Sequence, residues 1–230
     1  MERIITNIGT IPAIVVVPHG YDDPNTVEIA EEIINKIDAY AVINKGWRRS
    51  DHYDYYKDEA NCNNIKHIKE DVVKDEFLKP ILKYKNKILN EHHLQEPAMF
   101  IIHGVSNLIR DEASDLDFIV GYGEGDPARP TAPIEFKDCF LENLKSTGLV
   151  PYQGKSGGRY SGWGRNNLNQ LFNRKEFLDH CAYSLQIEII RELREDKDVA
   201  RQTGEVLSDV ITNTINNWKK FKSTLTFPYI

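Results

Sequence analysis

The run IPAIVVV, residues 11–17, is the feature that most restricts the fold of this chain. Continuous apolar runs of this kind, rich in β-branched residues, are typical of strands that are buried on both faces. The run is followed by a polar turn, by the helical pattern TVEIAEEIINKI and by a second apolar run, AYAVIN. A strand, a helix and a second strand in this order form a parallel crossover, so the sequence predicts an α/β fold with a mostly parallel sheet.

The rest of the chain continues this alternation. We expect further strands in AMFIIHG, DLDFIVGYG and SLQIEII. We expect helices from about Ile65 to Glu91, in PIEFKDCFLENLKSTG and from Asp198 to Lys220, with Pro80 dividing the first of them in two. With 230 residues, no internal repeat and no linker, the chain is expected to form a single α/β domain, residues 1–230.

Charge and composition exclude several classes of partner. The chain has 29 Lys and Arg against 35 Asp and Glu, a formal net charge of -6, which argues against broad binding to nucleic acid or to an anionic membrane surface. No apolar run approaches the roughly 18 residues of a membrane span, and the first residues do not form a secretory signal. Three cysteines without a CxxC motif indicate neither a disulfide framework nor a cysteine zinc cluster, so we expect a cytoplasmic protein. The sequence does not indicate an oligomeric state.

Two of the predicted strands lead directly into the dipeptide His-Gly, at His19-Gly20 and at His103-Gly104. The carboxyl ends of parallel strands meet at one edge of a sheet, where α/β folds form their sites. One histidine there is more often structural, but two such strand ends favour a common site. Asp23 lies four residues after His19, and a histidine, a carboxylate and a second histidine are the ligand set of a catalytic zinc site.

Asp23 has a second interpretation. It precedes Pro24, and an aspartate at the N-cap with proline at the first helical position is a common start of a helix. The two roles are compatible, because a carboxylate in that loop can also face His19. Asp22 is an alternative source of the acidic ligand.

Glu188 lies inside LQIEII, between apolar neighbours that predict a buried strand. A buried carboxylate is costly unless it is paired, hydrogen-bonded or close to a metal. It could form a buried salt bridge with an arginine. Given the two histidines, we favour a general base, since a desolvated glutamate with a raised pKa suits that role.

Several other polar residues are candidates for substrate binding or support. Arg48 and Arg49 in GWRRS, and Arg159 and Arg165 in the glycine-rich stretch GKSGGRYSGWGRNN, could hold an anionic group, since a guanidinium can bind a carboxylate through two hydrogen bonds. Two asparagines could donate to a carbonyl or form turns, and one aspartate could orient a histidine or begin its strand; these are Asn61, Asn63 and Asp117. The remaining histidines lie in polar segments without partners at ligand spacing, and we expect no site role for His52, His67, His92, His93 and His180.

Five segments taken in chain order resemble a known family. PHGYDDPNT, AVINKGWRR, the NCN at 61–63, FIIHG and LQIEI resemble motifs of the N-formylglutamate amidohydrolase family and of the phage poly-γ-glutamate hydrolases related to it. The set spans about residues 13 to 190. Each motif is short, and it is their order that makes the resemblance specific.

The resemblance implies a three-layer α/β fold like that of zinc-dependent exopeptidases, with a mixed, mostly parallel central sheet flanked by helices. It implies one zinc ion held at His19, Asp23 and His103, with Glu188 as the general base, and hydrolysis of an amide bond. Relatives often carry Glu as the acidic ligand in a turn such as HGG, whereas this chain has Asp23 after HGYD. Since aspartate has a shorter reach, this ligand departs most from the family pattern.

The function expected from the sequence is therefore a zinc-dependent hydrolase of an N-acyl amino acid, or of a γ-glutamyl or peptide-like amide. Its partner would be a small or peptide-like anionic substrate. The alternative is a non-catalytic protein that binds a metal or ligand and retains the fold. A metal-dependent phosphoesterase is less favoured, because two-metal phosphoryl chemistry needs more carboxylates around the histidines than this sequence offers.

Overall fold

A seven-stranded mixed sheet forms the centre of the structure, a computed structural model that describes residues 3–47, 61–68, 73–92, 96–106, 115–174 and 182–225. The strands are β1 (Ile4–Asn7), β2 (Ile11–Val17), β3 (Ala39–Asn44), β4 (Ala98–Gly104), β5 (Phe118–Gly121), β6 (Pro151–Gln153) and β7 (Tyr183–Ile189). Their order in the sheet is β1-β3-β2-β4-β7-β5-β6. The neighbours β3, β2, β4 and β7 run parallel, whereas β1 is antiparallel to β3 and β5 is antiparallel to β7.

Helices cover both faces of this sheet. The longer ones are α1 (Thr26–Ile37), α2 (Lys79–Glu91), α3 (Ile134–Ser146) and α4 (Lys197–Leu225). Residues of α1, α3 and α4 share one apolar core with the sheet, and residues of α2 belong to a second core on the opposite face. The prediction of a three-layer α/β fold with a mixed, mostly parallel sheet is confirmed.

Strand β2 explains why its sequence is apolar throughout. Ala13, Val15 and Val17 lie in the core shared with α1, whereas Ile14 and Val16 lie in the core shared with α2. Successive side chains of a strand point to opposite faces, so a strand with helices on both sides must be apolar at every position. The side chains of these residues are fully buried.

Strand β1 was not expected from the sequence. It is a four-residue edge strand, IITN, in which Ile4 is the buried residue. Its backbone pairs antiparallel with β3, from Ile4 opposite Asn44 to Asn7 opposite Ala41. A strand this short, with little buried apolar surface, carries too weak a hydrophobic pattern to be distinguished from a loop.

Pro80 does not separate two distinct helices. It lies in the first turn of α2, and a π-helical turn, Lys74–Leu78, leads directly into that helix. The N–H of Lys79 donates to the carbonyl of Lys74, five residues earlier. Proline has no N–H and its ring collides with the carbonyl four residues before it, so a widened turn there accommodates it without ending the helix.

Within the described residues, the helices lack a stretch that is both long and apolar enough to cross a membrane.

The centre of the first core offers a test of this architecture. Phe100 on β4 is fully buried, and its ring centroid lies 5.6 Å from that of Phe140 on α3. Replacing Phe100 with Ala should lower the free energy of unfolding by about 3 to 5 kcal/mol, because a cavity replaces the ring. The matched change Phe221→Ala, at a ring that is 40% exposed, should cost less than about 1 kcal/mol. Urea denaturation followed by circular dichroism measures both, and equal losses would contradict the assigned core.

Candidate functional site

The three parallel strands β2, β4 and β7 are neighbours in the sheet, and their carboxyl ends bring the predicted site residues together. His19 follows β2 by two residues, His103 lies near the end of β4, and Glu188 lies near the end of β7. In the register of β4 with β7, His103 is paired directly with Glu188. Paired residues of adjacent strands point to the same face, so the imidazole and the carboxylate lie side by side.

His19, Asp23 and His103 converge on one point. Asp23 Oδ2 lies 3.8 Å from His19 Nδ1 and 3.4 Å from His103 Nδ1, and one ligand atom from each residue falls within 4.8 Å of the others. The two imidazole centroids are 5.2 Å apart, and the ring planes are inclined at 66° to each other. Both histidines are buried, with 8% and 3% of their surface exposed.

Asp23 faces this point because it does not cap α1. The helix begins at Thr26 after Asn25, which has a left-handed φ of 65° and makes no side-chain capping bond. Thr26 Oγ1 instead donates to the backbone carbonyl of Asp23, and the Asp23 carboxylate accepts a hydrogen bond from Gly104 N–H at 3.1 Å. The capping interpretation of Asp23 is therefore wrong. Asp22, the alternative, is exposed and lies on the lining of the adjacent pocket.

Close packing explains the glycine after each histidine. A Cβ at Gly20 would lie 2.4 Å from the carbonyl oxygen of Asn44, and a Cβ at Gly104 would lie 2.4 Å from Arg194 Cζ. Both distances are shorter than any ordinary contact. The His-Gly dipeptides thus combine a polar ring with a backbone that a neighbouring segment approaches closely.

Asn61 contacts the ring of His19. Its Oδ1 lies 2.9 Å from His19 Nε2. Because an amide oxygen accepts hydrogen bonds, Nε2–H is the donor. In the neutral ring, Nδ1 then carries the lone pair, and it faces Asp23. Asn61 is expected to bind substrate, and it lines the pocket; its amide also orients the ring of His19. Burial, followed by the charge of His103, lowers the pKa of His19 to about 4, so this ring is neutral at physiological pH.

His103 and Asp23 each shift the pKa of the other, because His103 Nδ1 and Asp23 Oδ2 are 3.4 Å apart. Burial opposes a charge on His103, yet the carboxylates of Glu188 and Asp23 raise its pKa above the ordinary value. Burial likewise opposes a charge on Asp23, yet His103, His19 and the Gly104 amide hold its pKa below the ordinary value. Within the described residues His103 Nε2 is buried without a hydrogen-bond partner. The two carboxylates therefore favour a positive charge at this point.

Glu188 is buried, with 6% of its surface exposed. Burial raises its pKa to about 7, and the nearby His103 limits the rise. Gln186 Nε2 donates to Glu188 Oε1 at 2.8 Å, and among the described residues no arginine forms an ion pair with this carboxylate. The alternative of a buried salt bridge to arginine is therefore wrong for the described part of the chain.

Gln186 is a site residue that the sequence analysis missed. The segment SLQIEII alternates polar and apolar residues, so Ser184, Gln186 and Glu188 share one face of β7, while Leu185 and Ile187 lie in the opposite core. Period-two alternation is a signal that the sequence does carry. It identifies Gln186 as the neighbour of Glu188 on the same face.

A pocket of about 890 Å³ opens beside these groups. Its volume suits a ligand the size of a small metabolite or a short peptide. Beyond the histidines and Glu188, it is lined chiefly by asparagines and arginines, namely Asn61, Asn63, Asn64, Asn166, Asn167, Arg159, Arg165, Arg191 and Arg194. Asparagines and arginines therefore make up much of the lining, which also includes the carboxylates of Asp22, Asp23 and Glu195.

The asparagine wall of the pocket is built from two segments that are far apart in the sequence. Asn64 forms an antiparallel bridge with Asn167. Ile65 N–H donates to the carbonyl of Asn166 at 2.8 Å, and Leu168 N–H donates to that of Asn63 at 3.0 Å. The glycine-rich stretch is thus joined to the segment that carries Asn61.

The arginines expected to bind substrate have different outcomes. Arg159 and Arg165 are exposed and line the pocket, whereas Arg48 and Arg49 lie outside the described residues. Arg191 and Arg194 also line the pocket, and the sequence analysis did not select them, because RELRED has the composition of a solvated turn.

The remaining candidates lie away from the pocket or outside the described residues. Asp117 lies one residue before β5, and its Oδ2 accepts a hydrogen bond from Val150 N–H at 2.8 Å. Among the histidines whose side chains the structure describes, it contacts none, so its contacts are those of a residue that begins a strand. His92 follows the end of α2 and is not on the pocket lining. Outside the described residues lie His52, His93 and His180, and for His67 only the backbone is described.

Comparison with known proteins places the fold. No protein-family model matches this sequence, and no curated protein matches it. A gene product from Agrobacterium tumefaciens has a TM-score of 0.61 at 11% identity, over 95% of this chain and 97% of that one. An N-formylglutamate amidohydrolase from Ralstonia eutropha has a TM-score of 0.55 at 12% identity, over 94% and 99%. A bacteriophage poly-γ-glutamate hydrolase has a TM-score of 0.54 at 14% identity, over 96% and 89%. At these identities the likeness is one of fold.

The donor set suits a divalent metal ion. A neutral imidazole, a carboxylate and a second imidazole lie within reach of one ion, and the open pocket leaves room for a further ligand. Three nitrogen and oxygen ligands with an open fourth position are the arrangement of catalytic zinc sites. The residues that could hold the ion are His19, Asp23 and His103.

Asp22 and Asp23 provide a matched test of this arrangement. Asp23→Asn should lose the bound ion, because a neutral amide replaces the carboxylate between the two imidazoles. Asp22→Asn removes the same charge one residue earlier and should retain the ion. Zinc per chain, measured by mass spectrometry of the metal after gel filtration, distinguishes the two variants. Wild-type zinc content in Asp23→Asn would exclude Asp23 as a ligand.

Proposed function

We propose that this protein is a zinc-dependent hydrolase that cleaves an amide bond in an anionic N-acyl amino acid or in a γ-glutamyl or peptide-like substrate. The observation that carries the proposal is the direct pairing of His103 with Glu188 on adjacent parallel strands, beside Asp23 and His19. This pairing puts a buried carboxylate next to a His-Asp-His donor set at the wall of a polar pocket. A metal site and a separate base are the two components of metal-assisted hydrolysis of an amide by water.

His19, Asp23 and His103 would hold the zinc ion. When bound, zinc lowers the pKa of water and polarises a carbonyl group. His19 suits a ligand role because it is neutral and Asn61 orients its ring. The electrostatic preference for positive charge beside Asp23 and Glu188 supports a cation at this point.

Glu188 would move the proton. Its pKa of about 7 lets it accept a proton from the attacking water and then donate it to the leaving nitrogen. Gln186 holds one carboxylate oxygen through its amide and so limits rotation of the side chain. The second carboxylate oxygen is the one available for proton transfer.

The substrate would carry a negative charge. Among the exposed arginines that line the pocket, Arg159 is the one whose charge lowers the pKa of Glu188. A guanidinium there can bind a carboxylate through two hydrogen bonds. The asparagines of the pocket offer donors and acceptors to an amide chain. The protein can therefore favour an acidic substrate although its own net charge is negative.

Glu188→Gln tests catalysis separately from binding. The amide keeps the size of the side chain but cannot accept the proton, so the rate of hydrolysis should fall by about 10²- to 10⁴-fold while zinc content is unchanged. The matched variant Glu195→Gln changes an exposed carboxylate at the rim of the same pocket and should retain wild-type activity. Release of free amine from N-formyl-L-glutamate and from a γ-glutamyl oligomer measures the rates. A zinc-loaded wild type that hydrolyses neither compound, nor other anionic amides, would favour the non-catalytic alternative.

Arg159→Met tests the anionic end of the substrate. Loss of a charged hydrogen bond should raise KM for an anionic amide about tenfold and leave kcat nearly unchanged. Arg201→Met, at an exposed arginine of α4 that pairs with Asp198, is the control and should not change KM. Steady-state kinetics with the anionic substrate and its methyl ester separate charge from shape. An equal effect of Arg159→Met on both compounds would refute a role in charge recognition.

A further inference from the structure

Arg194 is a buried arginine that the proposed reaction leaves without a role. It ends the 3₁₀ turn Glu192–Arg194, which follows β7, and only 6% of its surface is exposed. Burying a guanidinium is costly, so its position requires compensating contacts. Those contacts are with the backbone of the candidate site.

The guanidinium donates to three backbone carbonyls from three different segments. Nη1 donates to Pro24 at 3.0 Å, Nη2 to Val105 at 2.9 Å and Nε to Ile189 at 3.1 Å. Each acceptor lies within two residues of a group of the site. Pro24 follows Asp23, Val105 is two residues after His103, and Ile189 follows Glu188.

Further contacts join Arg194 to the same three segments. Its own carbonyl accepts a hydrogen bond from Asn25 Nδ2 at 2.8 Å, in the loop that carries Asp23. Its guanidinium packs on Gly104, where a Cβ would lie 2.4 Å from Cζ. Gly104 N–H in turn donates to the Asp23 carboxylate. The charge of Arg194 also interacts with Asp23 and Glu188.

We propose that Arg194 is a positioning residue. Its planar guanidinium holds backbone carbonyls of three segments in fixed directions, and this sets the spacing of Asp23, His103 and Glu188. The inference rests on the proposed function, because it assigns the spacing to the binding of a metal ion. The planar guanidinium can satisfy three acceptors in fixed directions, whereas the single ammonium of lysine cannot reproduce that geometry. Charge alone is therefore insufficient.

Zinc affinity of the full chain, measured by competition with a chromogenic chelator, is the main test. Arg194→Met should weaken zinc binding by about 10- to 100-fold, the usual effect of removing a group that supports metal ligands. Arg194→Lys should remain weaker than wild type. Gly104→Ala, which drives a methyl group into the guanidinium, should weaken zinc binding in the same direction. Arg201→Met removes an exposed arginine and should bind zinc as the wild type does.

Two further measurements separate positioning from general stability. Thermal unfolding of the metal-free variants reports their folding, and the absorption spectrum of the Co²⁺-loaded variants reports ligand geometry. The inference requires an altered Co²⁺ spectrum and weaker zinc binding in variants that are folded at the assay temperature. Should Arg194→Met not fold, Arg194→Lys and Gly104→Ala carry the test.

The possible results are distinct. If the wild type binds no zinc, the proposed function and this inference both fail. If the wild type binds zinc and the folded Arg194 variants bind it equally well, this inference alone fails. Wild-type zinc affinity in Arg194→Lys would show that a positive charge suffices, and it would overturn the role of the guanidinium geometry.

Discussion

The parallel pairing of β4 with β7 is the interaction on which the candidate site depends. It places His103 opposite Glu188 and buries both, so that neither charge can be relieved by water. The consequence is mutual: the carboxylate raises the pKa of the imidazole, while the imidazole limits the rise in the pKa of the carboxylate. Slipping the register by one residue would turn one of the two side chains to the opposite face of the sheet.

Three polar side chains of the site each form a hydrogen bond with a supporting group. Asn61 orients His19, Gln186 orients Glu188, and the Gly104 amide orients Asp23. These supporting groups come from a loop, a strand and a strand end, so no single segment of sequence carries the arrangement. The apolar cores on both faces of the sheet supply the stability that offsets this concentration of buried polar atoms.

The fold is well predicted from the sequence, because a strand buried on both faces produces a short, continuous apolar run. A surface helix or a half-exposed strand of the same length would carry polar residues at regular intervals. His19, His103 and Glu188 could also be selected, since each stands where an apolar run ends or is interrupted by a polar residue, and Asp23 could be selected by its spacing of four residues from His19. Whether these residues act as predicted depends on the experiments proposed for them.

Other features could not be read from the sequence, for identifiable reasons. Edge strand β1 buries too little apolar surface to produce a pattern. The contact of Asn61 with His19 joins residues 42 positions apart, and a turn-forming asparagine gives no sign of a distant partner. Arg194 lies in a charged segment that looks solvated, and only the tertiary fold buries it under three carbonyls. The role of Asp117 was ambiguous because a strand start and a support for histidine require the same residue type.

The hydrogen bond between Gly104 and Asp23 spans 81 positions, and those from Arg194 to Val105 and Pro24 span 89 and 170. Contacts this long in sequence form only once the intervening chain has been ordered. The donor set and its support by Arg194 therefore form only when β2, β4 and β7 have assembled. An ion that binds there would favour forms of the chain in which these three strands are paired, so its stabilising effect would act on the centre of the sheet.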